Sequence, residues 1–171
     1  MTRNSQSPHT QWAREVLQAH FDERKPDRRR DEALQQRAGC FVSLHNADHS
    51  LRGCIGTIMP TKPTLEEEIK TNAVSAAFMD PRFSPLRKDE LDTLEISVDV
   101  LGEPEIINSF DELDPKVYGV IVSSGNKRGV LLPDLPGIEK VEQQLNIAMQ
   151  KAGIADGTPI TVHRFTVHRY H

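Results

Sequence analysis

Apolar residues recur at helical spacing in three long segments of the chain. In the first, Trp12 to about Glu23, the residues Trp12, Val16 and Ala19 share one stripe, and Pro26 is expected to end the helix. The remaining helices are predicted over 31–37, 64–79 and 139–152, the last with Gly153 as its stop. These segments alternate with shorter runs of a different period.

The helix predicted over 64–79 has the clearest boundaries. Thr64 can cap its start, and Glu67 stands three positions further on, which completes a capping box. Asp80-Pro81 stops the helix. Its buried stripe is predicted to contain Leu65, Ile69, Ala73 and Ala76. Asn72 lies on that same stripe, so a polar amide is expected inside.

The shorter apolar runs alternate with a period of two, which predicts strands. Two hairpins and two further strands are predicted, over 40–45 with 51–58, 118–123 with 128–132, 96–100, and 160–170. In the last strand the apolar parity changes between Val162 and Phe165, so a bulge or break is expected there.

Hairpin-linked strands with helices inserted between them predict an α+β fold. The sheet is expected to be largely antiparallel or mixed and covered by helices. Residues 1–10 are polar and are predicted to form a loose tail, and residues 11–171 a single domain.

Composition narrows the functional classes. The 171 residues carry a net charge of −4 with mixed signs, which argues against nucleic-acid binding. The only basic cluster, Arg28-Arg29-Arg30, lies between acidic residues and is expected to be a solvated helix start. Two cysteines, a polar N-terminus and no membrane-length apolar run predict a cytoplasmic protein.

The segment Leu51-Arg52-Gly53-Cys54-Ile55-Gly56 carries a family resemblance. It resembles the signature of the AMMECR domain family, and companion segments in the same order agree with it, at 39–44, 72–83, 129–133 and 144–153. The resemblance covers the chain from about Trp12 onward. It implies a main α/β lobe with a smaller lobe beside it. It also implies possible partners, a Memo-like protein and a radical-SAM protein, and leaves the biochemical activity open.

The faces of the first hairpin locate the candidate chemistry. If Cys40, Val42 and Leu44 point to the core, Arg52 and Cys54 lie on the opposite face of the sheet. Cys40 would then be turned away from Cys54, which argues against a disulfide between them. Cys54 is interpreted either as a thiolate nucleophile or redox thiol, with Arg52 favouring the anion, or as a small packed residue between two glycines.

Further residues extend the candidate site around Cys54. His45 is the candidate base beside the thiol, and Asp80 is a second candidate catalytic group. Asn72 and Arg82 are candidate substrate-binding residues together with Arg52 and His45. Because Asn72, Asp80 and Arg82 match the same family motifs as Cys54, they are grouped with it, and two arginines would suit an anionic ligand. For Asn72 and Asp80 a structural role is the alternative. Asn72 could form a hydrogen bond that ties a loop to the helix, and Asp80 could form a turn with Arg82.

No metal or cofactor site is predicted. His163, His168 and His171 lack metal-ligand spacing, and the chain has neither a Walker loop nor a Gly-x-Gly-x-x-Gly segment. Two functions remain open. The chain is either an enzyme or enzyme subunit acting on an anionic substrate with its partners, or a ligand- or protein-binding module of the same partner system.

Overall fold

The computed structural model describes residues 6–171, which form two compact units. The first unit extends to Val100 and also contains His168–His171, and the second is Leu101–Val167. Both units combine helices with antiparallel strands, so the predicted α+β class is confirmed.

The first unit contains two long helices and a three-stranded sheet. Its helices and strands are α1 Pro8–Phe21, β1 Cys40–His45, β2 Leu51–Thr57, α2 Leu65–Phe78 and β3 Glu95–Leu101, with 3-10 turns at Glu32–Leu34 and Lys88–Thr93. The strands pair antiparallel in the order β2-β1-β3. Helix α2 packs on β1 and β2, and α1 packs on α2. The core lies between these helices and the sheet.

Helix α1 begins earlier than the polar N-terminus predicts. Ser7 caps it by accepting the backbone N–H of Thr10, and Pro8 occupies the first helical turn, where its missing N–H costs nothing. His9 and Thr10 are buried. The predicted loose tail over residues 1–10 is therefore wrong for residues 8–10, and residues 1–5 lie outside the described residues.

Helix α2 follows the sequence prediction closely. Thr64 Oγ1 accepts the backbone N–H of Glu67, so the cap is confirmed. Asn72 is buried on the inner face of the helix, as the spacing predicts.

The second unit contains one long helix on an antiparallel sheet. Its helix and strands are β4 Glu105–Ile106, β5 Tyr118–Ser124, β6 Lys127–Leu131, α3 Val141–Ala152 and the greater part of β7 Thr161–Tyr170, with a 3-10 turn at Phe110–Glu112. Within the unit, β7 pairs with β4 and with β5, and β5 pairs with β6. Helix α3 packs on β5 and β6 over a separate apolar core.

The break predicted in the last strand is absent, and that prediction is wrong. The register between β5 and β7 runs without a shift from Thr161 to Thr166. Val162 and Phe165 therefore point to opposite faces, and both are buried. The ring of Phe165 lies over Gly119, its partner on β5. The parity change arises because both faces of the strand are covered there.

Within residues 6–171, no helix has both the length and the apolar character needed to cross a bilayer.

Candidate functional site

The signature segment forms β2, which lies close beneath α2. Gly53 is the point of contact, since a Cβ placed there would lie 2.2 Å from the carbonyl oxygen of Ala76. Only glycine lets the strand approach the helix backbone this closely. The helix-facing side of β1 is apolar and fully buried at Cys40, Val42 and Leu44.

Cys54 lies on the opposite side of this sheet, as the strand pattern predicts. It pairs across the strands with Ser43, and the Cys54 Sγ lies 3.2 Å from the Ser43 Oγ. Ser43 in turn pairs with Ser97 on β3. These three partly exposed side chains, Cys54, Ser43 and Ser97, form a row across the sheet that we call the thiol row.

The two cysteines have different environments. Cys40 is buried against α2, and burial raises the pKa of its thiol to about 12. Cys54 is partly exposed, and both thiols are free. The prediction that the two side chains face away from each other is confirmed.

Next to the thiol row, the ring of Phe41 covers Gly56. A Cβ at Gly56 would lie 2.3 Å from that ring, so the glycine provides the space in which the ring lies. The partner of Phe41 on β3 is Asp99, a buried carboxylate that Arg169 binds through Nε at 2.7 Å and Nη2 at 3.0 Å. The thiol row is therefore bordered by an aromatic ring and by a buried carboxylate with its exposed arginine partner.

Asp80 and Arg82 hold the backbone of Cys54 from the free edge of β2. The Cys54 N–H donates to Asp80 Oδ2 at 3.0 Å, and Arg82 Nη2 donates to the Cys54 carbonyl at 3.3 Å. The Arg82 side chain also donates to Asp80, from Nε at 3.1 Å and from Nη2 at 2.8 Å. The bonds from Arg82 hold the pKa of Asp80 well below its usual range. Asp80 is thus an acceptor-only carboxylate.

Arg52 neighbours Cys54 in sequence but its guanidinium turns to a different segment. Nε and Nη2 donate to the two carboxylate oxygens of Glu90 at 2.9 and 3.1 Å, and Nη1 and Nη2 donate to the carbonyls of Ser84 and Pro85 at 2.9 and 3.3 Å. Hydrogen bonding from Arg52 lowers the pKa of Glu90. Arg52 therefore ties the 84–90 segment to the end of β2, and its charge already has a carboxylate partner.

Asn72 lies on the helix side of the sheet. Its Nδ2 donates to the Cys40 carbonyl at 3.0 Å and to Thr57 Oγ1 at 3.1 Å, and lies 3.4 Å from the Cys40 thiol. The amide thus joins α2 to both strands of the hairpin.

The predicted site residues therefore fall into separate groups. Cys54, Asp80 and Arg82 are in direct contact. Asn72 is on the other face of the sheet, Arg52 binds the 84–90 segment, and His45 pairs with Leu51 beyond the register shift in the hairpin.

Sequence reasoning missed a buried carboxylate beside Asn72. Glu68 is 1% exposed and accepts four hydrogen bonds, from the hydroxyls of Thr57 and Thr61 and from the backbone N–H groups of Thr61 and Lys62. The two N–H bonds measure 3.0 and 2.8 Å. Its position four residues before Asn72, on the same side of α2, is the signal that predicts its burial.

The comparisons with known proteins agree with this structure. A protein of Thermotoga maritima is 49% identical over 95% of this chain and 97% of its own length. Protein CA_C1420 of Clostridium acetobutylicum is 44% identical over 98% of this chain, which spans only 36% of that longer relative. The crystal structure of uncharacterized protein PH0010 from Pyrococcus horikoshii superposes with a TM-score of 0.80 at 29% identity, covering 94% of this chain and 88% of that one. The sequence model of the AMMECR1 family matches residues 10–171. The chain therefore belongs to the AMMECR1 family.

Proposed function

We propose that the chain is an enzyme or enzyme subunit that acts on a small anionic substrate through the thiol of Cys54. The observation that carries the proposal is the pair of contacts that Asp80 and Arg82 make with the Cys54 backbone. They fix the position of the residue through its backbone, and among residues 6–171 the partly exposed Cys54 has its sulfur within hydrogen-bond distance of the Ser43 hydroxyl only. A nucleophile whose backbone is held in place while its sulfur contacts only a hydroxyl is an arrangement that suits covalent chemistry.

The roles of the neighbouring residues follow from their contacts. Asp80 positions Cys54 and does not transfer protons, because its oxygens already accept the Cys54 N–H and three N–H groups of Arg82. Arg82 is paired with Asp80, but its side chain is 56% exposed and lies next to Cys54, whereas that of Arg52 is 10% exposed. Of the two arginines, Arg82 is therefore the cation that would attract an anionic group of the substrate. Arg52, Asn72 and His45 would shape the surrounding structure.

The partners in this proposal are a Memo-like and a radical-SAM protein. Among the described residues, no general base contacts the thiol of Cys54. The chain alone is therefore incomplete as a catalyst, and partner proteins would deliver the substrate or the missing groups.

Alkylation kinetics test the role of Cys54, with iodoacetamide as a neutral probe and iodoacetate as an anionic one. Mass spectrometry reads Cys54 and Cys40 separately, and the buried Cys40 is the internal control. At neutral pH we expect Cys54 to react faster than free cysteine. We also expect its ratio of iodoacetate rate to iodoacetamide rate to exceed that of free cysteine.

The Arg82→Gln variant is expected to lower that ratio toward the value of free cysteine, because the attracting cation is gone. The Arg87→Gln variant, which removes an exposed guanidinium paired with Asp89, is the matched control and should leave the ratio unchanged. A Cys54 rate at or below that of free cysteine would contradict the proposal.

A binding module is the second candidate function. Arg52 and Asp80 are already bound to groups within the chain, so neither is available as a catalytic group. This favours a function in which the thiol row is a contact surface. Cys54→Ser separates the two functions. A binding module keeps its partners when sulfur is replaced by oxygen, whereas an enzyme loses its reaction.

A further inference from the structure

A cleft on the first unit shares no residue with the thiol row. It has a volume of about 510 Å³ and lies between the segment that follows α1 and the N-terminal half of α2. That volume is in the range of small-molecule sites, which is about 300–1,000 Å³. The residues that matter for its chemistry are Trp12, Lys25, Arg28, Lys62, Glu66 and Lys70, and we call it the basic cleft.

The lining of the basic cleft is positive on a chain whose net charge is negative. Four basic and two acidic side chains line it, whereas the chain as a whole carries −4. Among residues 6–171, the ammonium groups of Lys25, Lys62 and Lys70 take part in no ion pair. Unpaired like charges around one cavity repel each other, and an anion between them would remove that repulsion.

Glu66 provides a second and independent indication of a ligand. The residue is 1% exposed, and its Oε2 accepts from Arg28 Nε at 3.0 Å and from Arg28 Nη2. Its Oε1 is buried without a hydrogen-bond partner in the described part of the chain. A buried carboxylate oxygen without a donor is costly. Because Glu66 lines the cleft, an N–H or O–H of a bound ligand that reaches Oε1 would satisfy it.

Trp12 completes the cleft wall. Its indole is 4% exposed, and Nε1 donates to the backbone carbonyl of Glu66 at 2.7 Å. This bond fixes the aromatic ring next to the carboxylate. Because Trp12 is the only tryptophan of the chain and lines the cleft, tryptophan fluorescence can report binding there.

We propose that the basic cleft binds a small phosphorylated compound that also carries a hydroxyl or amino group. Lysine ammonium groups bind phosphate as point charges without a fixed geometry, which suits Lys25, Lys62 and Lys70 around an open cavity. The hydroxyl or amino group donates to Glu66 Oε1, and this bond selects the compound over inorganic phosphate. The site is separate from Cys54 and does not depend on the function proposed for the thiol.

Fluorescence titration of Trp12 tests this site in the full chain. The probes are glycerol 3-phosphate, ribose 5-phosphate and phosphoethanolamine. Inorganic phosphate and glycerol, the two halves of glycerol 3-phosphate, are the controls. We expect a saturable change with at least one of the three organic phosphates and weaker binding of both halves.

Three variants assign the binding to the cleft. Replacing Lys62 and Lys70 together with glutamine is expected to weaken the organic phosphate about tenfold or more, as loss of charge-assisted bonds does. Glu66→Gln is expected to narrow the preference for the organic phosphate over inorganic phosphate. Replacing Lys116 and Lys140 together with glutamine, which makes the same charge change as the Lys62 and Lys70 variant at two exposed residues of the second unit, should leave both affinities unchanged.

The double lysine variant tests the proposal even if Glu66→Gln lowers stability. It is expected to fold, because Lys70 is exposed and the hydrogen bond of Lys62 to Glu68 comes from its backbone N–H, which the substitution keeps. Absence of a saturable change with all three organic phosphates would overturn the proposal. Equal weakening by the Lys116 and Lys140 control would also overturn it, because the binding would then follow net charge and not the cleft.

Discussion

Asp80 accepts the backbone N–H of Cys54 at the free edge of β2, where a neighbouring strand would otherwise provide the acceptor. Arg82 supplies the matching donor to the Cys54 carbonyl. Two side chains thus take the place of one strand residue. This arrangement protects the edge of the sheet from pairing with another chain. It also holds Cys54, the partly exposed one of the two cysteines, in a defined position.

Removing the Asp80 carboxylate is expected to destabilise the first unit. Asp80→Ala loses the acceptor for the Cys54 N–H and leaves the Arg82 side chain without its partner. We expect a loss of about 2–3 kcal/mol in the free energy of unfolding, measured by urea denaturation.

Asp89→Ala is the matched control, since Asp89 also pairs with an arginine two residues away but is 72% exposed. It should cost about 0.5 kcal/mol or less. Equal losses for the two variants would mean that the Cys54 contact contributes nothing to stability.

The same carboxylate predicts a change in stability with acid pH. Because the bonds from Arg82 lower the pKa of Asp80, folding is favoured while the group is ionised. This contribution is complete above the unfolded-state pKa of about 3.9 and is lost as pH falls below it toward the lower folded-state pKa. Denaturation curves of the wild type and Asp80→Ala should therefore converge as pH drops below about 4. A constant difference over that range would contradict the prediction.

Glu68 is expected to be the most sensitive of the three consecutive glutamates at the start of α2. Glu68→Gln keeps the shape but replaces one acceptor oxygen with an NH₂ group. In either orientation of the amide, that group takes the place of an acceptor of two bonds, from the N–H groups of Thr61 and Lys62 or from the hydroxyls of Thr57 and Thr61. We expect a loss of about 2–4 kcal/mol in unfolding free energy. Glu67→Gln changes the neighbouring exposed residue and should stay within about 0.5 kcal/mol of the wild type. Comparable losses of unfolding free energy for both variants would show that the hydrogen bonds of the buried Glu68 carboxylate do not contribute more to stability than an exposed glutamate does.

The parts of the structure that sequence predicted are those set by local periodicity. Alternation in β1 and β2 placed Cys40 inside and Cys54 on the other face, and helical spacing placed Asn72 inward with Thr64 as cap. These features depend only on the periods of strand and helix, which residues close in sequence reveal.

The parts that were not predicted depend on where distant segments return. Arg52 binds Glu90, 38 residues away, and Asp80 reaches Cys54, 26 residues away. Grouping Asn72 with Cys54 by motif did not predict that the sheet separates them, because a shared motif carries no information about faces. The continuous β7 was missed for a related reason, since a strand buried on both sides has no apolar parity to follow.

Gly53 is expected to tolerate no side chain. The Cβ of Gly53→Ala would lie 2.2 Å from the backbone oxygen of Ala76, and neither β2 nor α2 can move without disturbing the core. We expect a loss of about 3 kcal/mol in unfolding free energy and faster alkylation of Cys40 as the helix lifts. At Gly102 the nearest atom is the rotatable hydroxyl of Thr166, so Gly102→Ala should cost about 1 kcal/mol or less. A loss for Gly53→Ala no larger than that of Gly102→Ala would mean that the close approach is easily relieved.

His9 is expected to make stability depend on pH near neutrality. It is 3% exposed, both ring nitrogens lack a hydrogen-bond partner within the described residues, and the ring stacks on Tyr170 at 3.6 Å between centroids. Burial lowers the pKa of His9, and the nearby His168 lowers it further, against an opposing effect of Asp31.

Because the folded-state pKa lies below the unfolded-state value of about 6.5, the unfolded chain binds more protons as pH falls. The stabilising contribution is complete above that value and is lost as pH falls through the folded-state pKa. His9→Phe keeps an aromatic ring against Tyr170 and removes the titrating group. We therefore expect the wild type to lose unfolding free energy relative to His9→Phe when urea denaturation is repeated from about pH 7.5 down to about pH 5. Parallel curves would contradict this, because the two proteins differ only in the group at position 9 and in its interaction with its neighbours, including His168.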